Sequence, residues 1–491
     1  MRKILLSPYF VLFYVFILAV FLWVLSNFVS VHPDFADHWV WSRNLFLSYY
    51  EHPPMVALFL KILTTAFGDS ERSLFNLAIF VNFCLIGAWY LLCRVWLGVR
   101  TARFYVILIL SSPYILAGSL FVNIDQPFML FWLLCVWALI AFVRSGEVKW
   151  FYVMGIFAGL GALSKYSMVL FYFGFGLWLL MNHTYRRFLL SPHFYLSGVL
   201  ALIIFSPVIY WNYQHDWISF KFQLKKGLTG QPLGANFLSF SIGHLLLFGL
   251  PVTVSLWYFL MKRKVWKRFI RNHIISSVLV VSLVPIVFFS LASLRGSISD
   301  PQWVNIGYLP LFMLLARRLV ALLRSGRWIL PFVILKTSHI VSWAAIVTFV
   351  LFGHYGPFLV TYEQGAKIFD SFYWRETSQK IMEVMQKHQM EMAPYVLTRE
   401  YQLAGALSFY LSHRPWPMTL EKMERNQWIH WDELRREPLL LVCAPKECED
   451  VVGRYKSSLG REFRFVDQVV IDNQAGWVIR SFALYFSDRN R

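Results

Sequence analysis

Two acids and one lysine stand where an apolar chain tolerates charge least. Asp34, in VHPDFADHWVW, directly follows a long apolar run, and Asp125, in SLFVNIDQPFML, occupies a short turn between two others. Lys165, in LGALSKYSMVL, interrupts a further one. A charged side chain at the bilayer centre costs about 2.5–3.5 kcal/mol on insertion scales, so such groups must face protein, water or a partner. A carboxylate at the membrane surface but under protein cover gains basicity and suits removal of a proton from a hydroxyl. That is one reading of Asp34, and an exposed loop acid is the other. Asp125 is either an ion facing a partner or the N-cap of the helix opened by Pro127. Lys165, next to Tyr166, either snorkels to the surface or binds an anionic headgroup.

A second cluster lies in PVIYWNYQHDWISFKFQLKKGLTG, which gathers Trp211, His215, Asp216 and Trp217 near one span end. The tryptophans are candidate ligand contacts or plain interfacial anchors. Lys221, Lys225 and Lys226 read as a surface meeting anionic lipid. Arg295 and Asp300, in LRGSISDPQW, are spaced to pair with each other. The chain has no helical histidine pair, P-loop, dinucleotide fingerprint or serine elbow in a useful context.

The elements that position these residues follow from composition. Of 491 residues, 58% are hydrophobic and 15% charged, and the mean hydropathy is +0.52. Those values exclude a water-soluble enzyme and a disordered chain, and five cysteines exclude a disulfide scaffold. The net charge of +19 raises a nucleic-acid reading, which its distribution removes: residues 1–352 hold 28 basic and 9 acidic residues, and the remainder 18 of each. An excess confined to the apolar part is a membrane pattern, with no nucleic-acid partner.

Apolar runs near 8–28, 74–92, 104–121, 127–143, 150–164, 166–181, 194–211, 238–260, 274–292, 304–316 and 329–352 give about eleven spans. The first, without a small-residue cleavage site, reads as an anchor. With the N-terminus inside, the connections carrying Arg94, Arg100, Arg103, Arg144, Lys149, Arg186, Arg187 and the basic stretches 262–271 and 317–327 share one side. That satisfies the positive-inside rule. Residues 1–352 then form a transmembrane domain with a long outer loop at 29–73, and 353–491 an outer α/β domain. In the latter, 378–389 has helical spacing and 438–443 and 463–471 read as strands. Cys443 and Cys448 there are either a disulfide or two free thiols.

Eight of the nine acids before residue 353 fall on the outer side: Asp34, Asp37, Glu51, Asp69, Glu71, Asp125, Asp216 and Asp300. The charge rule for Lys and Arg does not place acids, so a polar outer cavity is one explanation. The aromatic, amphipathic middle of the 29–73 loop predicts a helix lying in the interface.

The run DHWVWSRNLFLSYYEHPPMVALFL resembles the first outer loop of bacterial membrane glycosyltransferases of the protein O-mannosyltransferase superfamily, which includes aminoarabinose transferases acting on lipid A. NIDQPFMLFW, GLGALSKYSMVL, PVIYWNYQHDWISFKFQ, SDPQWVNIGYLPL and YQLAGALSFYL are similar to later stretches in the same order. The resemblance implies the GT-C glycosyltransferase fold, placement in a bacterial inner membrane with a periplasmic active site, and a polyprenyl-phosphate-linked sugar as donor. The acceptor would be a glycolipid such as lipid A, a glycan or an exported protein. The family's acidic motif, usually Asp-Glu, falls on Asp34 and Phe35, so one carboxylate is missing. Asp34 would serve alone or with Asp37 or Glu51. The resemblance carries the second acidic site onto Asp125 and the loop lysine onto Lys165, with His52 or Arg295 helping to hold the donor phosphate.

In that chemistry Asp34 deprotonates a hydroxyl, which displaces the polyprenyl phosphate with inversion while Lys165 stabilises the leaving charge. Two or three outer carboxylates could also hold Mg²⁺ or Mn²⁺. The competing readings are a flippase for lipid-linked sugars, which would be expected to show internal repeats not seen here, and a relative that has lost activity.

Overall fold

The computed structural model describes residues 6–228, 234, 236–263, 266–267, 271–294, 300–355, 370–420 and 423–488. Among them, seven helices are long and apolar enough to cross a membrane: Pro8–Leu25, Glu71–Leu97, Asp125–Ser145, Pro192–Gln214, His273–Ala292, Pro301–Arg324 and Ile329–Tyr355. Phe237–Leu247 and Leu250–Leu260 make an eighth if taken as one span, bent by 105°. Their junction holds Gly249 at φ +89°, a conformation other residues rarely adopt. The other three of the eleven runs are helical but short. Run 104–121 splits into Val99–Ile109 and Pro113–Gly118, because a residue before proline is pushed out of the helical region and Ser112 is accordingly extended. Lys149–Ala162 and Tyr166–Met181 are separated at Lys165, whose backbone is also extended.

The chain divides into two compact units. The first comprises Met1–Phe21, Tyr50–Met55 and Ala78–Ile346. Here Lys149–Ala162 packs against both Asp125–Ser145 and Pro192–Gln214. In lipid, helices associate by close packing of small residues rather than by the hydrophobic effect, and Gly155 and Gly159 provide it. A Cβ on Gly155 would stand 2.5 Å from the Ser197 carbonyl oxygen, and one on Gly159 2.9 Å from that of Ala201.

The second unit comprises Leu22–Tyr49, Val56–Leu77 and Val347–Arg491. It differs from the division at residue 352 expected above, because much of the 29–73 loop belongs to it. Its five-stranded sheet has the order β2-β1-β3-β5-β4, with β1 Tyr395–Thr398, β2 Trp416–Thr419, β3 Leu439–Cys443, β4 Arg464–Asp472 and β5 Val478–Ser487. β1 pairs parallel with β2 and β3, and the β4–β5 hairpin joins β3 antiparallel through β5. β1 and β3 are buried throughout, as strands of a covered parallel sheet must be. The helix expected at 378–389 is Trp374–Lys387, and the strands expected at 438–443 and 463–471 are β3 and β4. Cys443 and Cys448 form a disulfide between the end of β3 and the start of the helix Cys448–Leu459.

The loop segment joins this unit through the helix Pro33–Arg43, which packs on Tyr401–Tyr410. The contact is close at Gly405, where a Cβ would lie 3.2 Å from the Asp37 backbone. Phe35 through Ser42 are all buried, so this helix is a core element and not the interfacial one expected. The amphipathic loop helix is Met55–Phe67, with Leu58, Ile62 and Phe67 exposed.

Gly155→Leu forces the helix pair apart and is expected to cost about 1–3 kcal/mol, as overpacking does elsewhere. It should lower the unfolding temperature of the purified protein in detergent, whereas Gly198→Leu, at a position with open space around it, should not. Equal thermal stability of the two variants would contradict the packing described.

Candidate functional site

In the first unit, a buried polar chain starts at the extended break before Tyr166. Lys165 Nζ donates to Asp125 Oδ1 at 2.9 Å, with the side chains only 12% and 4% exposed. Tyr114 donates to Asp125 Oδ2 at 3.2 Å, and Asn305 Nδ2 donates to the Tyr114 hydroxyl at 3.0 Å. Lys165 Nζ also lies 5.7 Å from the Phe128 ring and 5.9 Å from that of Trp303, in the SDPQW segment. Asp125 is therefore an ion facing a cation. Its backbone N–H is itself capped by the Asn123 side chain at 2.8 Å.

Buried amides fix the turn that presents Asp125. Gln126 accepts from the Asn123 N–H at 2.7 Å, and its Nε2 donates to Asn82 Oδ1 and to the Phe121 carbonyl at 3.3 and 3.2 Å. Asn82 donates to the same carbonyl at 3.3 Å. An amide inside a long apolar helix needs such partners. A small cleft of about 30 Å³ lies alongside, lined by Asn82, Trp89, Tyr114, Asn123 and Gln126 with apolar neighbours.

Glu51 and His52, both half-buried, lie on the segment Tyr50–Met55 of the same unit. Two backbone contacts hold it: Met55 N donates to the Leu163 carbonyl at 2.9 Å, and Gln223 Nε2 to the Glu51 carbonyl at 2.6 Å. The Tyr166 hydroxyl is 2.7 Å from Ser219 Oγ. Trp211 is buried with the His215 ring stacked on it at 4.1 Å, and His215 and Asp216 are exposed. Lys221 is exposed. Arg295 lies outside the described residues.

In the second unit, Asp34 occupies the first turn of Pro33–Arg43, where free backbone N–H groups favour a carboxylate. Its side chain is 44% exposed, so protein covers it in part. It lies 3.8 Å from His32 Nδ1 and 3.5 Å from the Tyr401 hydroxyl, the first residue of the YQLAGALSFYL segment. Asp37 is different: it is buried and paired with Arg425 at 3.3 Å, the two side chains being 6% and 4% exposed. Asp69 accepts from Trp39 Nε1 at 3.3 Å, and Glu71 holds both Arg375 and the Tyr410 hydroxyl. These three acids serve the architecture of this unit rather than line a polar cavity. Arg43 and Arg414 flank the Trp39 ring at 5.2 and 4.8 Å. Burial, and then the neighbouring Arg414, lower the pKa of Arg43 to about 10, with Asp69 opposing them.

Among the described residues no three His, Cys, Asp or Glu side chains form a metal site. Asp37, Asp69 and Glu71 meet arginine, tyrosine or tryptophan instead, and among the described residues the donor set does not fit the divalent ion considered above. Sequence reading missed Tyr114, Asn305 and Asn82. Asn82 alone carried a usable signal, as a lone amide in an apolar helix.

Residues 51–211 match the family described as dolichyl-phosphate-mannose-protein mannosyltransferase. That interval holds Glu51, His52, Asp125 and Lys165. The lipid A galacturonosyltransferase RgtD of Rhizobium johnstonii is 25% identical over 204 residues, covering 39% of this chain and 41% of that protein, so the chain spans less than half of its length. Crystal structures of ArnT from Cupriavidus metallidurans, in the apo state and bound to undecaprenyl phosphate, both superpose with a TM-score of 0.62 at 14% identity. They cover 96% and 98% of this chain and 97% and 98% of theirs. The class is thus that of multi-pass membrane proteins with the GT-C fold. Within it, residues 51–211 carry the likeness to the mannosyltransferase family, and the fold is that of the ArnT structures.

The two acids of Pro33–Arg43 should separate by substitution. Asp37→Asn leaves the buried Arg425 guanidinium facing an amide, and breaking a buried pair costs about 3–5 kcal/mol. Asp34→Asn, at a half-exposed position, should stay within about 0.5 kcal/mol of the parent. Thermal unfolding in detergent reads both, and equal losses would contradict the assignment of Asp37 as structural.

Proposed function

We propose that the protein transfers a sugar from a polyprenyl-phosphate donor to a hydroxyl of an envelope acceptor, with inversion, at the outer face of a bacterial inner membrane. The observation that carries the reading is the buried Lys165–Asp125 pair backed by Tyr114 and Asn305. A lysine held at the end of an apolar bundle is suited to a phosphate whose prenyl tail remains in lipid, and Asp125 fixes the direction of its ammonium group. The undecaprenyl phosphate in the ArnT crystal structure supports a donor of this kind. The lipid A specificity in the name of RgtD makes lipid A the leading acceptor.

In the reaction, the acceptor oxygen attacks the anomeric carbon as its proton passes to the Asp34 carboxylate. The bond between that carbon and the phosphate oxygen breaks, and its electron pair leaves with the polyprenyl phosphate. Lys165 stabilises the charge that develops there. Asp34 suits the base role because its carboxylate is half-exposed and has no arginine partner among the described residues, unlike Asp37. The half-buried His52 remains a further candidate for the donor phosphate.

Mass spectrometry of lipid A, glycans and exported proteins tests this in cells that carry the intact gene, no gene, or a variant. Asp34→Asn should slow transfer by about 10²–10⁴-fold, the usual contribution of a positioned base, so that the sugar-sized mass disappears as fully as in the deletion. Restoration of the modification by Asp34→Asn would rule out the base role and favour transport of a lipid-linked sugar. Lys165→Ala should weaken donor binding and slow transfer by about 10²–10³-fold in vitro, whereas the exposed Lys221→Ala should change neither. Unchanged donor affinity in Lys165→Ala would remove its phosphate role.

A further inference from the structure

The Lys165 network does not involve the basic end of the first unit, where two positively charged connections meet. An open groove of about 730 Å³ lies between Leu250–Leu260, Asn305–Arg324 and the start of Ile329–Tyr355. Leu315, Leu319, Leu330 and Val333 contribute its apolar walls. Lys262, Arg318 and Arg327 also line it, and all three are exposed. They come from separate elements: Lys262 just after Leu250–Leu260, Arg318 within Asn305–Arg324 and Arg327 in the connection that follows it. Lys262 Nζ lies 4.3 Å from the Tyr258 ring. None of the three cations makes an ion pair among the described residues. Glu147, the only acid that the charge bias assigns to this side, is paired with Lys149.

We propose that this groove holds a phospholipid with two phosphates in its headgroup, of the cardiolipin type, as a bound component of the protein. The apolar walls of the groove match acyl chains rather than a polar metabolite. Three cations without acids call for an anion. Guanidinium forks pair with phosphate oxygens through two parallel hydrogen bonds, and Arg318 and Arg327 supply two such forks. A charge of +3 complements two phosphates better than the single one of a prenyl phosphate or of phosphatidylglycerol. Basic pockets between transmembrane helices are known sites for such headgroups.

The test is native mass spectrometry of the full chain released from detergent containing cardiolipin, phosphatidylglycerol or phosphatidylcholine at equal concentration. Cardiolipin should be retained one-to-one at least tenfold better than the other two. The variant combining Lys262→Ala, Arg318→Ala and Arg327→Ala should lose that preference, and Arg324→Ala, an exposed cation that does not line the groove, should keep it. Leu330→Trp keeps all three charges and fills the groove; it should also reduce retention, which separates a seated lipid from ions merely attracted to the surface. Equal retention of phosphatidylcholine or phosphatidylglycerol, or an unaltered preference in the triple variant, would each overturn the proposal.

Discussion

An ammonium and a carboxylate 2.9 Å apart inside an apolar bundle set the conditions for the rest of the first unit. Neither ion is stable there alone, and the pair is tolerable only if the remaining hydrogen-bonding capacity is met. Tyr114 takes the second carboxylate oxygen, Asn305 anchors Tyr114, and Asn82 and Gln126 hold the turn from which Asp125 projects. The helical breaks follow from the same need. Lys165 reaches Asp125 from an extended residue between two short helices, so continuing the helix through it would redirect the side chain. The pairing with Asp125 thereby accounts for the interruption of a long apolar stretch at Lys165.

The second unit solves a different problem, which is to order a long loop. Carboxylates of the loop and of the following helix are matched to groups from the C-terminal segment: Asp37 to Arg425 and Glu71 to Arg375 and Tyr410. Gly405 lets Pro33–Arg43 approach Tyr401–Tyr410 at backbone distance. The resemblance in YQLAGALSFYL then has a physical basis, since that helix is the platform for the loop helix.

Much of this was legible in the residues. Charge asymmetry, the long apolar runs and the tail's α/β pattern all follow from local hydropathy and spacing, which sequence reports directly. Asp125 and Lys165 were visible because charge in an apolar run requires a reason. What sequence did not convey was partnership between distant residues. The acids of the outer side looked like one cluster, yet Asp37 and Glu71 are bound to arginines far along the chain and Asp125 to Lys165. The Pro33–Arg43 helix looked interfacial because an aromatic surface reads the same whether it meets lipid headgroups or protein. Tyr114 and Asn305 gave no signal, being ordinary residues at the ends of apolar helices whose importance comes only from their contact with Asp125.

Phe35 shows how these two kinds of information combine. As a departure from an Asp-Glu motif it reads as a lost catalytic group. In the structure Phe35 is fully buried on the inner face of Pro33–Arg43, whereas Asp34 beside it is half-exposed. Adjacent helix positions point about 100° apart, so the two side chains meet different surroundings. A glutamate at 35 would have to bury its charge or distort the helix, at a cost of several kcal/mol for an unpaired carboxylate by rough estimate. The position therefore serves the packing of the loop helix in this chain, and the loss of an acid there removes nothing from the exposed carboxylate at 34. Of the acids on that helix, Asp37 is held by Arg425, whereas Asp34 stands half-exposed beside His32 and Tyr401, so the carboxylate at 34 is the accessible one of the two.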